Sequence, residues 1–459
     1  MEISTTATAT ARSEAEIGFV RADSDHDLIR LKRWRASTFW VMLIGYIGYY
    51  LCRTNLSSAL PLLSQTFNYS NAQLGLIGFY SELAYAIGKL ITGSLGDQIG
   101  GKRVFLIGLA GAIFFNVIFT LSSGLTFFIA VWCACRFFLS MGWGGIIKTM
   151  GTWYEKEVHG TVMGVISINF QFGGVLAALL CGYLVSRGAT WQNLFTVPAA
   201  IATLVLIWSY FCSKESPQDV VPGTTFGNSA GKSQALVEYA HEGKKLSTFA
   251  IMKGLLGHKI YRQSIGFNML MTILRIFFLF WTPKILVDLG MSNTSAILKS
   301  AIFPLLGCIG TILLGWYTDK HAKNGDRARM IWMMLSGLVV CLGIVTALIP
   351  YGLQYSSVIV LLLGLCGFFL YGPYAMTTGA LALDIAGPKG ASTACGILDF
   401  MGYGAAAFAT WGAGQLADAY QGSWTRVFVL TTALAALSTF WAFMMSKELQ
   451  KTKPIPAKS

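Results

Sequence analysis

Eight charged side chains stand inside long apolar stretches of this sequence: Arg53, Glu82, Lys89, Arg136, Arg275, Lys284, Lys299 and Asp399. Charge at such depth is expensive and is kept where it does chemistry. Lys284 and Lys299 stand close enough to the ends of their stretches to snorkel to an interface, which leaves six deeper groups. Arg53 and Arg275 are the pair to follow. Two guanidinium forks facing one low-dielectric cavity match a phosphate dianion in charge and in bidentate geometry. The structural alternative pairs each arginine with a buried acid such as Glu82 or Asp399. Among the deeper groups, however, the basic ones (Arg53, Lys89, Arg136, Arg275) outnumber the acids (Glu82, Asp399) four to two. Tyr46 and Tyr50 precede Arg53 by seven and three residues and share its helical face, where they can line the same cavity or simply pack. Asp399 stands four residues before Tyr403, so these two also share a face.

Such residues need a bilayer-spanning scaffold, and the composition supplies one. Of 459 residues, 54% are hydrophobic and only 12% charged. Soluble chains carry about twice that share of charge. A crossing takes about 20 apolar residues, so twelve would use roughly 240, close to the apolar total. The nine cysteines fall in or beside apolar runs without the spacing of a zinc or disulfide framework, and the five histidines all lie between the runs. With no nucleophile–base pair or metal-ligand set at depth, neither an enzyme nor a cofactor is expected.

Spanning stretches recur near residues 38–61, 73–95, 104–122, 125–147, 161–185, 191–212, 264–287, 296–317, 330–350, 356–380, 391–414 and 426–445. The expectation is an all-α membrane protein of twelve transmembrane helices. It divides into an N-terminal tail (1–36, without a signal-peptide pattern and mobile), a six-helix half (37–213), a linker (214–260), a second half (261–446) and a C-terminal tail (447–459). With both termini cytoplasmic, the cytoplasmic segments hold 26 of the 34 Lys and Arg residues, the outer loops two and the helices six. The net charge of +13 is thus an orientation signal, and nucleic acid is not an expected partner.

The two halves repeat. Six identities share one offset of 222 residues: Arg53 with Arg275, Pro61 with Pro283, Ser70 with Ser292, Asn71 with Asn293, Gly93 with Gly315, and Asp97 with Asp319. Parallel six-helix repeats place a substrate between the halves near the midplane, with access alternating as one half rocks against the other. The repeat also sets Arg53 and Arg275 across a pseudo-two-fold axis.

The run from Gly45 to Leu56 resembles helix one of the organophosphate:phosphate antiporters within the major facilitator superfamily. Similar matches are Ile87–Asp97, Met141-Gly142-Trp143, Leu274-Arg275, Trp281-Thr282-Pro283, Gly315–Lys320 and Tyr371-Gly372-Pro373, so the resemblance spans residues 38–446. It implies exchange of inorganic phosphate for a phosphorylated metabolite by a monomer, in the bacterial inner membrane. Arg53 and Arg275 would be the phosphate clamp, with Lys89, Tyr46, Tyr50, Tyr371 and Tyr403 at further cavity positions. Gly93, Asp97 and Arg103, with Gly315, Asp319 and Arg327, resemble the superfamily's loop motif, whose acid and basic groups latch neighbouring helix ends. Glycerol-3-phosphate members have histidine where Phe170 stands, glutamine at Leu139, and glycines at Arg136 and Asp399, so the organic moiety stays open. Two alternatives remain: a proton-coupled organic-anion carrier in which Glu82 or Asp399 titrates, and a sugar-phosphate sensor of the same fold.

Overall fold

The computed structural model describes residues 25–155, 158–222, 224, 254–257, 259–321, 327–376 and 382–451, apart from some side chains within helices. Every long element among them is a helix. The first half comprises α1 (Asp25–Phe67), α2 (Asn71–Ile99), α3 (Gly101–Phe119), α4 (Leu125–Leu139) running into α5 (Met141–Trp153), α6 (His159–Ser167) running into α7 (Asn169–Ser186), and α8 (Asn193–Cys212). The second comprises α9 (Lys259–Asp288), α10 (Asn293–Ser300) running into α11 (Ile302–His321), α12 (Arg327–Leu348), α13 (Ser356–Met376), α14 (Ala382–Ala419) and α15 (Thr425–Lys451). Twelve crossings result. Nine segments among the described residues are long and apolar enough to span, one of them, Arg329–Met376, holding both α12 and α13. The two crossings outside those segments are α1 and α14, whose apolar runs are diluted by tyrosine, glycine and the polar residues of the site.

Large apolar side chains such as Leu204, Phe211, Val340 and Phe440 face outward at 60–69% exposure, which suits a hydrocarbon surround and not water. The halves meet through α1 against α9, α2 against α14, and α7 against α10 and α11. The last two contacts exchange under the repeat, as a pseudo-two-fold axis requires.

Repeat-related residues carry this seam at the end of the bundle that holds the 67–71 turn. Pro283 has no N–H to give the Leu279 carbonyl one turn earlier. The Ser57 hydroxyl, 222 residues from Leu279, donates to that carbonyl at 2.6 Å and to the Phe280 carbonyl at 2.9 Å. Asn71 and Asn293 are also repeat mates. The Asn71 and Ala72 N–H groups, at the start of α2, donate to the Asp418 carboxylate at 3.1 and 2.7 Å, and Asn293 exchanges amide hydrogen bonds with Gln65 at 2.8 and 3.4 Å.

The α2–α14 crossing is so close that a Cβ on Gly414 would sit 2.3 Å from the Asn71 carbonyl oxygen. Gly414→Val is therefore expected to destabilise the bundle by about 1–3 kcal/mol. Gly412→Ala, where nothing lies within 4 Å of the added atom, should leave the melting temperature of detergent-purified protein unchanged.

Two boundaries and one lysine differ from expectation. Residues 25–36, expected as part of a mobile tail, continue α1 instead. That stretch is amphipathic: Leu31 and Trp34 pack on Trp153, Val220 and Val221, Arg30, Lys32 and Arg33 face outward, and Arg35 lies over the Tyr154 ring at 5.4 Å. The linker, expected from 214 to 260, opens with an ordered stretch. Glu215 accepts the backbone N–H groups of Lys102 and Arg103 at 3.2 and 3.3 Å, capping α3, and the Lys102 ammonium donates to the Ser213 carbonyl at 2.6 Å. Gly100, at φ +96°, lets this capping carboxylate approach, since a Cβ there would lie 2.5 Å from Glu215 Cδ. Lys284, expected to snorkel, forms an ion pair with Asp288 one turn later, and Asp288 also accepts from the Trp424 indole at 3.0 Å. Residues 1–24, 225–253 and 452–459 lie outside the described residues.

Candidate functional site

Arg53 leaves α1 and Arg275 leaves α9 at the level where these repeat mates face each other. Tyr403, from α14, joins them. Its hydroxyl oxygen accepts a hydrogen bond from Arg53 Nη2 at 3.2 Å and one from Arg275 Nη2 at 2.7 Å. Arg53 also donates through Nη1 to the Tyr85 hydroxyl at 3.1 Å. Arg275 is 2% exposed, and its Nε has no hydrogen-bond partner among the described residues. An unpaired donor at that depth is a place for an acceptor.

Aromatic faces hold both forks. The Arg53 guanidinium carbon lies 4.5 Å from the Tyr85 ring centre and 5.4 Å from that of Tyr50, while that of Arg275 lies 4.3 Å from Tyr374. The rings of Tyr85 and Tyr403 meet edge to face at 4.6 Å. Cation–π contacts of this kind fix a guanidinium without neutralising it.

The acids lie elsewhere. Glu82, on α2, forms a buried ion pair with Arg136, on α4. Asp399, on α14, pairs with Lys89, on α2, at 3.2 Å across the seam between the halves. Neither acid is an ion-pair partner of Arg53 or Arg275 among the described residues.

The expected residues thus divide into groups. Arg53, Arg275, Tyr50 and Tyr403 form one cluster, and Lys89 with Asp399 stands one helical turn from Tyr85 and Tyr403. Tyr46 sits behind Tyr50, with its ring 5.5–5.7 Å from those of Tyr49, Tyr50 and Trp143. Tyr371 rests on Phe303 at 5.4 Å and Phe170 at 6.2 Å. Of the six loop-motif residues, Arg103 sits exposed at the start of α3 and Gly315 lies in α11. Gly93 falls on a helix, as do Asp97, Asp319 and Arg327, whose side chains lie outside the described residues. Sequence reasoning missed Tyr85 and Tyr374. Glu82, Tyr85 and Lys89 follow the i, i+3, i+7 spacing of one helix face, and Tyr371 and Tyr374 are one turn apart; that spacing was the available signal.

Comparison with known proteins bears on the same architecture. The sequence profile of the Major Facilitator Superfamily matches residues 42–410. The chain belongs to that superfamily. It is an integral membrane protein of a transporter family. Among its relatives is the glycerol-3-phosphate transporter of Bacillus subtilis (strain 168), 28% identical over 416 residues that cover 89% of this chain and 91% of the relative. A probable hexose phosphate transport protein of Chlamydia pneumoniae is 27% identical, covering 91% and 93%. The membrane sensor protein UhpC of Escherichia coli (strain K12) is 22% identical, covering 92% and 96%. The resemblance to the organophosphate branch of the superfamily is borne out by these relatives. In fold, the chain matches an inward-facing, unoccupied bacterial homologue of the human lysosomal transporter Spinster, with a TM-score of 0.72 at 14% identity over 93% of this chain and all of that one.

Proposed function

We propose that the protein exchanges inorganic phosphate for a phosphate monoester by alternating access, with the arginine cluster as the anion site. One observation carries this reading. Of the four deep cations, Arg136 is matched by Glu82 and Lys89 by Asp399, whereas Arg53 and Arg275 hydrogen-bond to tyrosine hydroxyls among the described residues. The cavity thus holds two positive charges in excess, the complement of a phosphate dianion. A cavity with two uncompensated charges crosses between its facing states at high cost, and an anion of charge minus two removes that cost. Reorientation of the loaded carrier alone makes transport an exchange. The phosphate esters named for the relatives suit the same site.

The reading makes the basic end of the bundle, with both termini and the 214–260 linker, cytoplasmic, and the membrane the bacterial inner membrane. The seam at the 67–71 end is then the outer gate. The groups at Gly93, Asp97, Arg103, Gly315, Asp319 and Arg327 latch the cytoplasmic end when the outer gate opens. The two halves, 37–213 and 261–446, move as the rocking units of a monomer. For orientation, Ser229→Cys should react in intact cells with membrane-permeant thiol reagents and gain no labelling over the parent chain from impermeant ones. Labelling by an impermeant reagent would invert the topology.

Competition tests the anion class. Labelled phosphate taken up by phosphate-loaded proteoliposomes should be displaced by hexose and glycerol phosphates. Dicarboxylates of equal charge should leave it unaffected, because they lack a single tetrahedral dianion for two forks. Equal displacement by dicarboxylates would reduce the site to an unselective anion cavity. Binding of phosphate esters without any counterflow would favour a sensor, the role named for the UhpC relative.

A further inference from the structure

The Glu82–Arg136 pair does not touch the anion cluster directly, yet it is built against it. Both residues are buried, Arg136 at 3% exposure and Glu82 at 6%, between α2 and α4. A buried ion pair is a poor source of stability, because desolvation of the two charges offsets their attraction. What distinguishes this pair is the position of its guanidinium, whose carbon lies 4.5 Å from the centre of the Tyr85 ring. The Arg53 guanidinium carbon lies at the same 4.5 Å from that ring, and Arg53 Nη1 donates to the Tyr85 hydroxyl. Tyr85 is therefore gripped by two guanidiniums. It is 1% exposed and leans edge-on against Tyr403, the acceptor that Arg53 and Arg275 share.

We infer that Glu82 and Arg136 are positioning residues for the anion site, acting through Tyr85 on the fork of Arg53. Glu82 holds Arg136 in place and cancels its charge. Arg136 presses on the Tyr85 ring, and the ring and its hydroxyl together fix where Arg53 points. Without the acid, Arg136 would add a third uncompensated charge to the cavity and repel Arg53. Lys89 also sets its ammonium over this ring, at 5.3 Å. Without the Arg136 guanidinium, the Tyr85 ring would keep Arg53 and Lys89 but lose one of its two planar cations and the rotamer that aims its hydroxyl at Arg53.

This inference rests on the phosphate reading above, and the two fail in different ways. If the unaltered protein shows no phosphate counterflow, the phosphate reading fails; the present inference is read from variants of a protein that exchanges. The decisive variant is the charge swap Glu82→Arg with Arg136→Glu. It keeps the ion pair and the net charge of the cavity but takes the guanidinium off α4 and sets a carboxylate in its place beside the ring. Counterflow of labelled phosphate and thermal unfolding would be measured on the same purified protein. The swap should melt near the parent temperature and show KM for phosphate raised about five- to tenfold, with kcat held within about twofold, the pattern of weakened anion binding. Tyr85→Phe, which retains the ring and loses the hydroxyl, should raise KM in the same way. A swap variant with parental KM would show the pair to be structural and would overturn the inference. If the swap does not fold, Arg136→Lys decides. It keeps the charge beside Glu82 without a planar face on the ring, so KM raised about threefold or more supports the positioning role and parental KM overturns it.

Discussion

Arg53→Lys and Arg275→Lys should each lower phosphate exchange by more than about a hundredfold while the protein still inserts and melts normally. Lysine keeps the charge, so any loss must come from geometry. A hydrogen bond to a charged group contributes about 1.5–3 kcal/mol, or roughly ten- to a hundredfold in binding, and each fork presents more than one donor to a phosphate oxygen. The aromatic support would also change, because Arg53 lies over Tyr85 and Tyr50, and Arg275 over Tyr374, through planar faces that an ammonium lacks. Arg275→Lys should be the more damaging of the two. Arg275 is 2% exposed with an unpartnered Nε, so its replacement leaves a deeper defect than at the partly buried Arg53. Counterflow at saturating phosphate, with folding checked by thermal unfolding, measures both. Full exchange by either variant would remove the clamp.

Asp399→Asn should act in another direction. The aspartate neutralises Lys89 across the seam between α2 and α14 at 3.2 Å. Its loss would leave the cavity with three excess positive charges instead of two. A phosphate dianion should then bind more tightly and leave more slowly. We expect KM for phosphate to fall by roughly three- to tenfold, with a comparable fall in maximal exchange rate, for a change of one charge at partly screened separation. The pH dependence of exchange should scarcely change, and Lys89→Gln combined with Asp399→Asn should restore both constants towards those of the parent. A different outcome is equally readable. If Asp399→Asn abolishes uptake driven by a proton gradient and spares counterflow, Asp399 is a proton carrier and the protein is a proton-coupled transporter.

Much of this architecture is legible in the sequence because it follows from one-dimensional signals. The 222-residue offset relates Arg53 to Arg275 before any coordinates exist, and it relates Ser57 to Leu279, whose contact on the axis it did not disclose. Apolar length places most of the crossings. What is not legible is pairing across helices. Spacing puts Glu82 and Lys89 on one face of α2, but only the packing of α2 against both α4 and α14 sends Glu82 to Arg136 and Lys89 to Asp399. The excess of four basic groups over two acids is visible early; which two cations remain uncompensated is a three-dimensional fact. The same limit explains Tyr85 and Tyr374. A tyrosine in an apolar helix reads as packing until an arginine is found at its hydroxyl, as at Tyr85, or over its ring, as at Tyr374. The early start of α1 escapes for another reason, since its first turns are amphipathic and fall outside any search for a lipid-like run.

Counterflow tests the exchange mechanism most directly. Purified protein would be reconstituted into proteoliposomes with or without internal phosphate, and labelled phosphate uptake followed with and without an imposed pH gradient. A cavity that reorients only when its two excess charges are matched predicts rapid uptake into phosphate-loaded vesicles and almost none into empty ones, whatever the gradient. Concentrative uptake into phosphate-free vesicles, driven by the pH gradient and indifferent to internal phosphate, would contradict it.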